Sequence, residues 1–355
     1  AVNGSITVMP KVSQTSAQLK TRFNLENHLL LAQFIANKLG LHKVSDIKQF
    51  SDVNEGFGED GRSYMYYRLI SKQGNTIPEG KLRQYDDNIR KYFQKLKRNR
   101  EEKISFKYYQ YLALLFSEIY LDHYFQNPIK FLNELNQWVE QTKSDNYFSR
   151  RPDLQKIAYW MATGSGKTLV IVKLIEIISN LIKANQISKK DILFLTYRED
   201  LLDQFKKHIE EFNYSDNSAT INLYDLKEYE SVKRDRRFRY DNEIDVFYYR
   251  SDLISDEQKD KIIDFRNYDN FGNWYILLDE AHKGDREDSK RQQFYSILSR
   301  KGFLFNFSAT FTDPIDFATC VFNFNLERFI SDGYGKQIYI SQSDILNLDK
   351  EEDFS

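Results

Sequence analysis

The chain has 355 residues, with 51 Lys and Arg against 52 Asp and Glu, so its formal net charge is −1. This balance excludes a globally basic nucleic-acid-binding protein, and any such partner has to be met by local patches. No apolar run approaches the roughly 18–20 residues that a membrane span needs, which excludes an integral membrane protein. The N-terminus has no signal-peptide pattern, and the single cysteine, Cys320, is typical of the reducing cytoplasm, where we expect the protein.

At roughly 100–200 residues per domain, the length predicts about two domains. The first of these is an expected α+β accessory region over residues 1–103. It combines a helical stripe between Leu25 and Leu41 with a strand predicted at Tyr64–Ile70. Further helices are expected from Lys81 to about Arg100 and from Tyr108 to Phe125, and residues 126–152 are expected to form a helical or loop insertion.

From Gln155 onwards, short apolar runs alternate with amphipathic helices. The predicted strands lie at Lys156–Met161, Ile192–Thr196, Ile244–Tyr249, Tyr275–Leu278 and Phe303–Phe307. A long helix from Lys167 to about Ala184 follows the first of them. Strands separated by helices indicate an α/β fold with a mostly parallel, doubly wound sheet, which we expect in a domain over residues 104–330.

The segment Met161-Ala-Thr-Gly-Ser-Gly-Lys-Thr168 lies between the first predicted strand and the following helix, the setting of a phosphate-binding loop. Gly164 and Gly166 let backbone N–H groups turn toward a phosphate, and the helix points its positive N-terminus at the same anion. Lys167 is expected to reach the β- and γ-phosphates of ATP, and the Thr168 hydroxyl to hold Mg²⁺. The predicted nucleotide-binding residues of the loop are Thr163, Gly164, Ser165, Gly166, Lys167 and Thr168. Met161 departs from the strict pattern, which has Gly there.

Two adjacent acids follow the apolar strand Tyr275–Leu278. At the carboxyl edge of a sheet, Asp279 is expected to hold Mg²⁺ through water, and Glu280 to orient and deprotonate the attacking water. Further along, the strand Phe303–Phe307 runs into Ser308-Ala-Thr310.

In chain order, the phosphate loop, Asp279-Glu-Ala-His282 and Ser308-Ala-Thr310 resemble motifs I, II and III of superfamily 2 helicases of the DEAH type. The resemblance implies a RecA-like domain in which Ser308 and Thr310 couple the nucleotide state to nucleic-acid binding, with His282 contacting motif III.

Four stretches narrow the resemblance further, to the helicase (Res) subunits of type III restriction enzymes and related phage-defence helicases. They are Tyr85-Asp-Asp-Asn-Ile89, the run from Tyr109 to Asp122, Tyr159-Trp-Met-Ala-Thr-Gly-Ser-Gly-Lys-Thr168 and Ser331-Asp-Gly-Tyr-Gly-Lys336. The likeness covers roughly residues 80–340, the N-terminal portion of such a subunit.

The segments between these motifs supply nucleic-acid candidates. The strand and helix start around Thr196 and Arg198 look like motif Ia, and Arg250 and Ser251 follow a strand that resembles motif Ib. Upstream, Gln110 resembles the glutamine that reads the adenine edge of ATP, because an amide both donates and accepts hydrogen bonds. Gln155, closer to the phosphate loop in sequence, is the alternative.

The resemblance implies an ATP-dependent DNA translocase that hydrolyses ATP with Mg²⁺ on duplex DNA. Its partners are expected to include a DNA methyltransferase or another defence-system subunit. Residues 331–355 are expected to start the connection to a second RecA-like domain. Because that domain would supply arginine fingers, the chain alone is expected to hydrolyse ATP weakly. An RNA helicase and a nucleotide-switched binding module remain alternative interpretations.

The N-terminal region and two basic runs carry further candidate residues. Asp52 or Asp60 with Glu79-Gly-Lys81 loosely fits a nuclease core. Two basic runs, Arg90–Lys103 and Lys233–Arg239, offer charge for phosphate contacts, although such runs also occur on solvated faces.

Overall fold

The computed structural model describes residues 25–99, 106–142, 154–213, 219–235, 242–279, 286–312 and 314–335. Its helices are α1 (Leu30–Lys38), α2 (Tyr64–Ile70), α3 (Glu79–Asn99), α4 (Tyr108–Gln126), α5 (Pro128–Gln141), α6 (Lys167–Lys183), α7 (Glu199–Asn213), α8 (Tyr229–Asp235), α9 (Arg286–Leu298), α10 (Pro314–Ala318) and α11 (Leu326–Ser331). In this part of the chain, no helix combines the length and the apolar character needed to cross a bilayer.

The strands are β1 (Lys156–Met161), β2 (Asp191–Thr196), β3 (Thr220–Asp225), β4 (Glu243–Arg250), β5 (Ile254–Ser255), β6 (Ile263–Asp264), β7 (Trp274–Asp279), β8 (Phe303–Ser308) and β9 (Cys320–Phe324). Seven of them form one parallel sheet in the order β3-β4-β2-β7-β8-β1-β9, and β5 pairs with β6. This confirms the expected α/β fold, with a RecA-like sheet at its centre.

The central strands β2, β7 and β8 are buried along their whole length, which explains why the sequence presents them as nearly continuous apolar runs. On one face of the sheet, Tyr159, Leu277 and their neighbours share a cluster with residues of α3, α4, α6 and α7. On the other face, Leu278 and Leu304 pack with residues of α9 and α10. The phosphate loop therefore follows a strand that is covered on both sides.

The predicted helices are present with small shifts at their ends, and the insertion is the helix α5. Its first turn is capped by Asn127, whose side chain accepts a hydrogen bond from the Lys130 N–H at 3.0 Å. Residues 143–152 of the expected insertion lie outside the described residues.

The strand predicted at Tyr64–Ile70 is wrong, because this segment is the helix α2. The aromatic-rich sequence suits a strand locally, yet Met65, Tyr66 and Leu69 are buried together, as on one helical face. Ser63 starts the helix, since its Oγ accepts the Tyr66 N–H at 2.9 Å. The same hydroxyl donates to the fully buried carboxylate of Asp86 in α3, so a tertiary contact fixes the cap.

The described residues 25–99 form helices, loops and two isolated bridges, and they contribute to both hydrophobic clusters that cover the sheet. One link runs through α3, where the Tyr92 hydroxyl donates to the Leu169 carbonyl of α6 at 2.6 Å. The helix α3 therefore contacts the helix that follows the phosphate loop.

Candidate nucleotide-binding site

The loop between β1 and α6 is fixed to the sheet at its first residue. The Ala162 N–H donates to the Phe324 carbonyl of the neighbouring strand β9 at 2.9 Å. Ser165 then closes a tight turn, because its N–H and its Oγ both donate to the Ala162 carbonyl, at 3.1 and 2.7 Å. The buried Ser165 side chain thus stabilises the loop from inside.

Two glycines give the loop its shape. Gly164 has φ +82° and Gly166 has φ +91°, in the left-handed region that side chains disfavour. A Cβ atom built on Gly166 would lie 2.5 Å from Nε2 of Gln110, so a side chain there would displace the Gln110 amide. The helix α6 begins directly afterwards at Lys167, and its N-terminal N–H groups are well placed for an anion.

Lys167 and Asp279 meet at the carboxyl edge of the sheet, with 3.6 Å between Lys167 Nζ and Asp279 Oδ1. Their side chains are only 7% and 5% exposed, and charges at such depth are stable when they are paired. Thr168 stands one residue further, half-buried in the first turn of α6. A hydroxyl and a carboxylate are oxygen ligands of the kind that Mg²⁺ prefers, so this donor set fits the metal.

Gln110 lies against the phosphate loop. Its Nε2 donates to the Ser165 carbonyl at 3.1 Å, and its Oε1 accepts the Lys107 N–H at 3.1 Å. Gln155 precedes β1, whose six residues span about 20 Å, and therefore lies at the opposite edge of the sheet. The geometry thus joins Gln110, and not Gln155, to the loop.

The Ser308-Ala-Thr310 segment forms a closed turn after β8. Ser308 Oγ donates to the Thr310 carbonyl at 2.7 Å and accepts the Thr310 N–H at 3.1 Å. Trp160 of β1, for which the sequence predicts no role of its own, donates from Nε1 to the Ala309 carbonyl at 2.8 Å. The turn is therefore tied to the strand that carries the phosphate loop. Glu280 and His282 lie outside the described residues.

The nucleic-acid candidates differ in accessibility. Thr196 is fully buried and stands beside Asp279 in the β2–β7 register, and its hydroxyl has no partner among the described residues. Ser251 is also buried. Arg198 is exposed and forms an ion pair with Asp200. Arg250 is partly exposed and pairs with Asp252 at 2.7 Å. Of these four candidates, only the two arginines therefore present charge at the surface.

The nuclease interpretation gains no support, because its residues are engaged elsewhere. Lys81 Nζ lies 3.0 Å from Asp122 of α4, and Glu79 pairs with Arg83 at 2.9 Å.

One lysine in the described part of each basic run makes an internal contact. Lys95 is buried and donates to the Ala219 carbonyl at 3.0 Å, and Lys233 pairs with Asp191 at 2.7 Å. Residues 100–103 and 236–239 of these runs lie outside the described residues.

Residues 123–313 match the model of the family described as type III restriction enzyme, res subunit. No curated protein and no solved structure gives a match. The matched segment covers more than half of the chain and includes the phosphate loop, Asp279 and the Ser308–Thr310 turn. The chain therefore belongs to the res subunit family of type III restriction enzymes, a family of helicase-like ATPases.

Proposed function

We propose that the protein hydrolyses ATP with Mg²⁺ and uses the cycle to translocate on duplex DNA. The observation that carries the proposal is the pairing of Lys167 with Asp279 at 3.6 Å, beside a glycine loop and a helix N-terminus. A phosphate needs the ammonium and the N–H groups, and a magnesium ion needs the carboxylate. All of these groups meet at one edge of the sheet.

Each residue of the site then has a distinct role. Backbone N–H groups from Thr163 to Gly166 surround the β-phosphate, and Lys167 neutralises the β- and γ-phosphates. Thr168 and Asp279 hold Mg²⁺, which supplies charge neutralisation when it is bound. Glu280 activates the attacking water as general base. Gln110 positions the loop through its bond to Ser165 and presents its amide to the adenine.

The neighbouring strand ends supply the coupling to DNA. Arg198 and Arg250 contact the phosphate backbone, where they would exchange their present carboxylate partners for DNA phosphates. Ser251 and Thr196 support them from buried positions. His282, Ser308 and Thr310 transmit the nucleotide state, since the Ser308–Thr310 turn is bonded to the strand before the phosphate loop through Trp160.

Within this proposal, the protein works in the cytoplasm, in a restriction or phage-defence system. Its partner subunit is a DNA methyltransferase or another component of the same system. The competing interpretations, an RNA helicase and a nucleotide-switched module, differ in how ATP hydrolysis responds to polymers.

The test is ATP hydrolysis by the purified protein, measured without polymer and with duplex DNA, single-stranded DNA or RNA. We expect duplex DNA to stimulate hydrolysis most, and the protein to displace a third strand from a triplex on the same duplex. Preferential stimulation of ATP hydrolysis by RNA would favour the RNA helicase interpretation. Tight ATP binding without hydrolysis under every condition would leave only the nucleotide-switched binding module.

A further inference from the structure

A second cleft lies at the edge of the sheet opposite the phosphate loop. It is formed where β1, β7 and β8 begin and where α6 leads into β2, and it encloses about 200 Å³. A single water needs only ~10–15 Å³ by this measure, so the cleft has room for a much larger group. Because α6 has 17 residues and is about 25 Å long, this basal cleft is well separated from the ATP site.

The basal cleft has a strongly one-sided charge. Lys190 and Lys301 line it, and none of the described lining residues is acidic. Neither lysine lies within ion-pair distance of a described carboxylate, although Lys301, after Arg300, helps to lower the pKa of the nearby Asp269. Partial burial lowers the pKa of Lys190, and the charge of Lys301 lowers it further. The two ammonium groups are therefore close enough to repel each other, and an anion between them would relieve that repulsion.

The walls of the cleft are held in place by hydrogen bonds. Lys190 Nζ donates to Asn273 Oδ1 at 2.9 Å, which fixes the direction of this side chain. The Tyr275 hydroxyl donates to the Ser188 carbonyl at 2.8 Å and anchors the loop after α6 to the sheet edge. The Gln155 carbonyl accepts the Leu304 N–H at 2.8 Å. A site arranged in advance loses little conformational freedom when a ligand binds.

The remaining lining residues define what kind of anion fits. The amide side chains of Gln155 and Gln186 add hydrogen-bonding groups beside the lysines, and the ring of Tyr124 forms part of the apolar wall. Lysine ammonium groups bind phosphate well, and the volume exceeds that of a single phosphate group. An organic portion attached to the phosphate would have the aromatic wall to contact.

We propose that the basal cleft, built around Lys190 and Lys301, is a second ligand site of this protein, which binds a small molecule carrying a phosphate or pyrophosphate group. The site is independent of ATP hydrolysis, because it uses other residues at the opposite edge of the sheet. α6 connects the two, with the phosphate loop at its first turn and the loop to Lys190 after its last.

The test is isothermal titration with inorganic pyrophosphate and, separately, adenosine monophosphate, in buffer without magnesium. The protein carries Lys167→Ala, which weakens anion binding at the phosphate loop. On this background we compare Lys301→Ala and Lys190→Ala with the matched control Lys189→Ala, whose lysine is exposed and does not line the cleft. Circular dichroism and thermal unfolding verify that each variant is folded.

We expect saturable binding of at least one probe, weakened at least tenfold by Lys301→Ala and by Lys190→Ala, and changed less than twofold by Lys189→Ala. Preference for adenosine monophosphate would identify a nucleotide-like ligand, and preference for pyrophosphate an inorganic one. The proposal is overturned if neither probe binds, or if Lys301→Ala binds as tightly as its background.

Discussion

The buried glutamate of α4 makes the stability of the protein depend on pH. Glu118 is 7% exposed, its Oε2 accepts a hydrogen bond from Asn88 at 3.3 Å, and its Oε1 has no partner among the described residues. Burial raises the pKa of Glu118 to about 7, although the charge of Lys173 and the Asn88 amide oppose the rise. The carboxyl group is therefore protonated in the folded state at pH values where it is ionised in the unfolded state.

The sign of the effect follows from proton binding. Between pH 4.5 and about 7 the folded protein holds the Glu118 proton more tightly than the unfolded chain, so the free energy of unfolding falls as the pH rises. This contribution is greatest below the unfolded pKa and is lost above the folded one. The separation of the two pKa values corresponds to about 3 kcal/mol, as an order of magnitude.

Glu118→Gln keeps the shape of the side chain and removes the titration. We expect the variant to match the parent near pH 5 and to exceed it by about 1–3 kcal/mol in free energy of unfolding at pH 8. Urea denaturation at pH steps from 5 to 8.5 measures both curves. The control is Glu140→Gln on α5, whose glutamate is exposed. Equal pH slopes in Glu118→Gln and the parent would refute the reasoning.

Three further predictions concern the site and its supports. Gly166→Ala is expected to weaken ATP binding at least tenfold in a fluorescent-nucleotide titration, since φ +91° costs about 1–2 kcal/mol and the new Cβ displaces Gln110. Unchanged affinity would contradict this. Tyr92→Phe removes the bond to the Leu169 carbonyl and is expected to lower the free energy of unfolding by about 0.5–1.5 kcal/mol in urea, and a loss below the error of that measurement would contradict it. Arg198→Ala is expected to weaken duplex DNA binding. It should also make the binding constant less dependent on salt concentration, by the amount that corresponds to about one lost phosphate contact. An unchanged salt dependence would exclude that contact.

Local sequence signals are sufficient to predict most strands of the sheet. Strands such as β2 and β7 are buried on both faces, and such strands must be apolar at every position, which makes them visible in the sequence. The edge strand β3 was missed because it is only partly buried and its sequence, Thr-Ile-Asn-Leu-Tyr-Asp, mixes polar and apolar residues. The other edge strand, β9, is also absent from the sequence prediction. It is buried at every position, and the ring of its Phe324 stacks on Tyr109 of α4, with 4.1 Å between the ring centroids.

The site divides in the same way between local and tertiary information. The phosphate loop is one contiguous segment, so its residues and its glycines were predictable from spacing alone. The contact of Gln110 with Ser165 joins residues 55 positions apart, and the sequence favours Gln110 over Gln155 only through the family resemblance. The burial of Thr196 depends in the same way on strands and helices distant in the chain. Tyr92 and Trp160 act through backbone carbonyls, which leave no residue pattern to recognise.

The Lys167–Asp279 site is expected to hydrolyse ATP. The most direct measurement is phosphate release from ATP by the purified protein with Mg²⁺ and duplex DNA, compared with Lys167→Ala and with Lys183→Ala at the far end of α6. We expect slow hydrolysis that Lys183→Ala preserves and Lys167→Ala abolishes. Equal rates in the parent and in Lys167→Ala would contradict it.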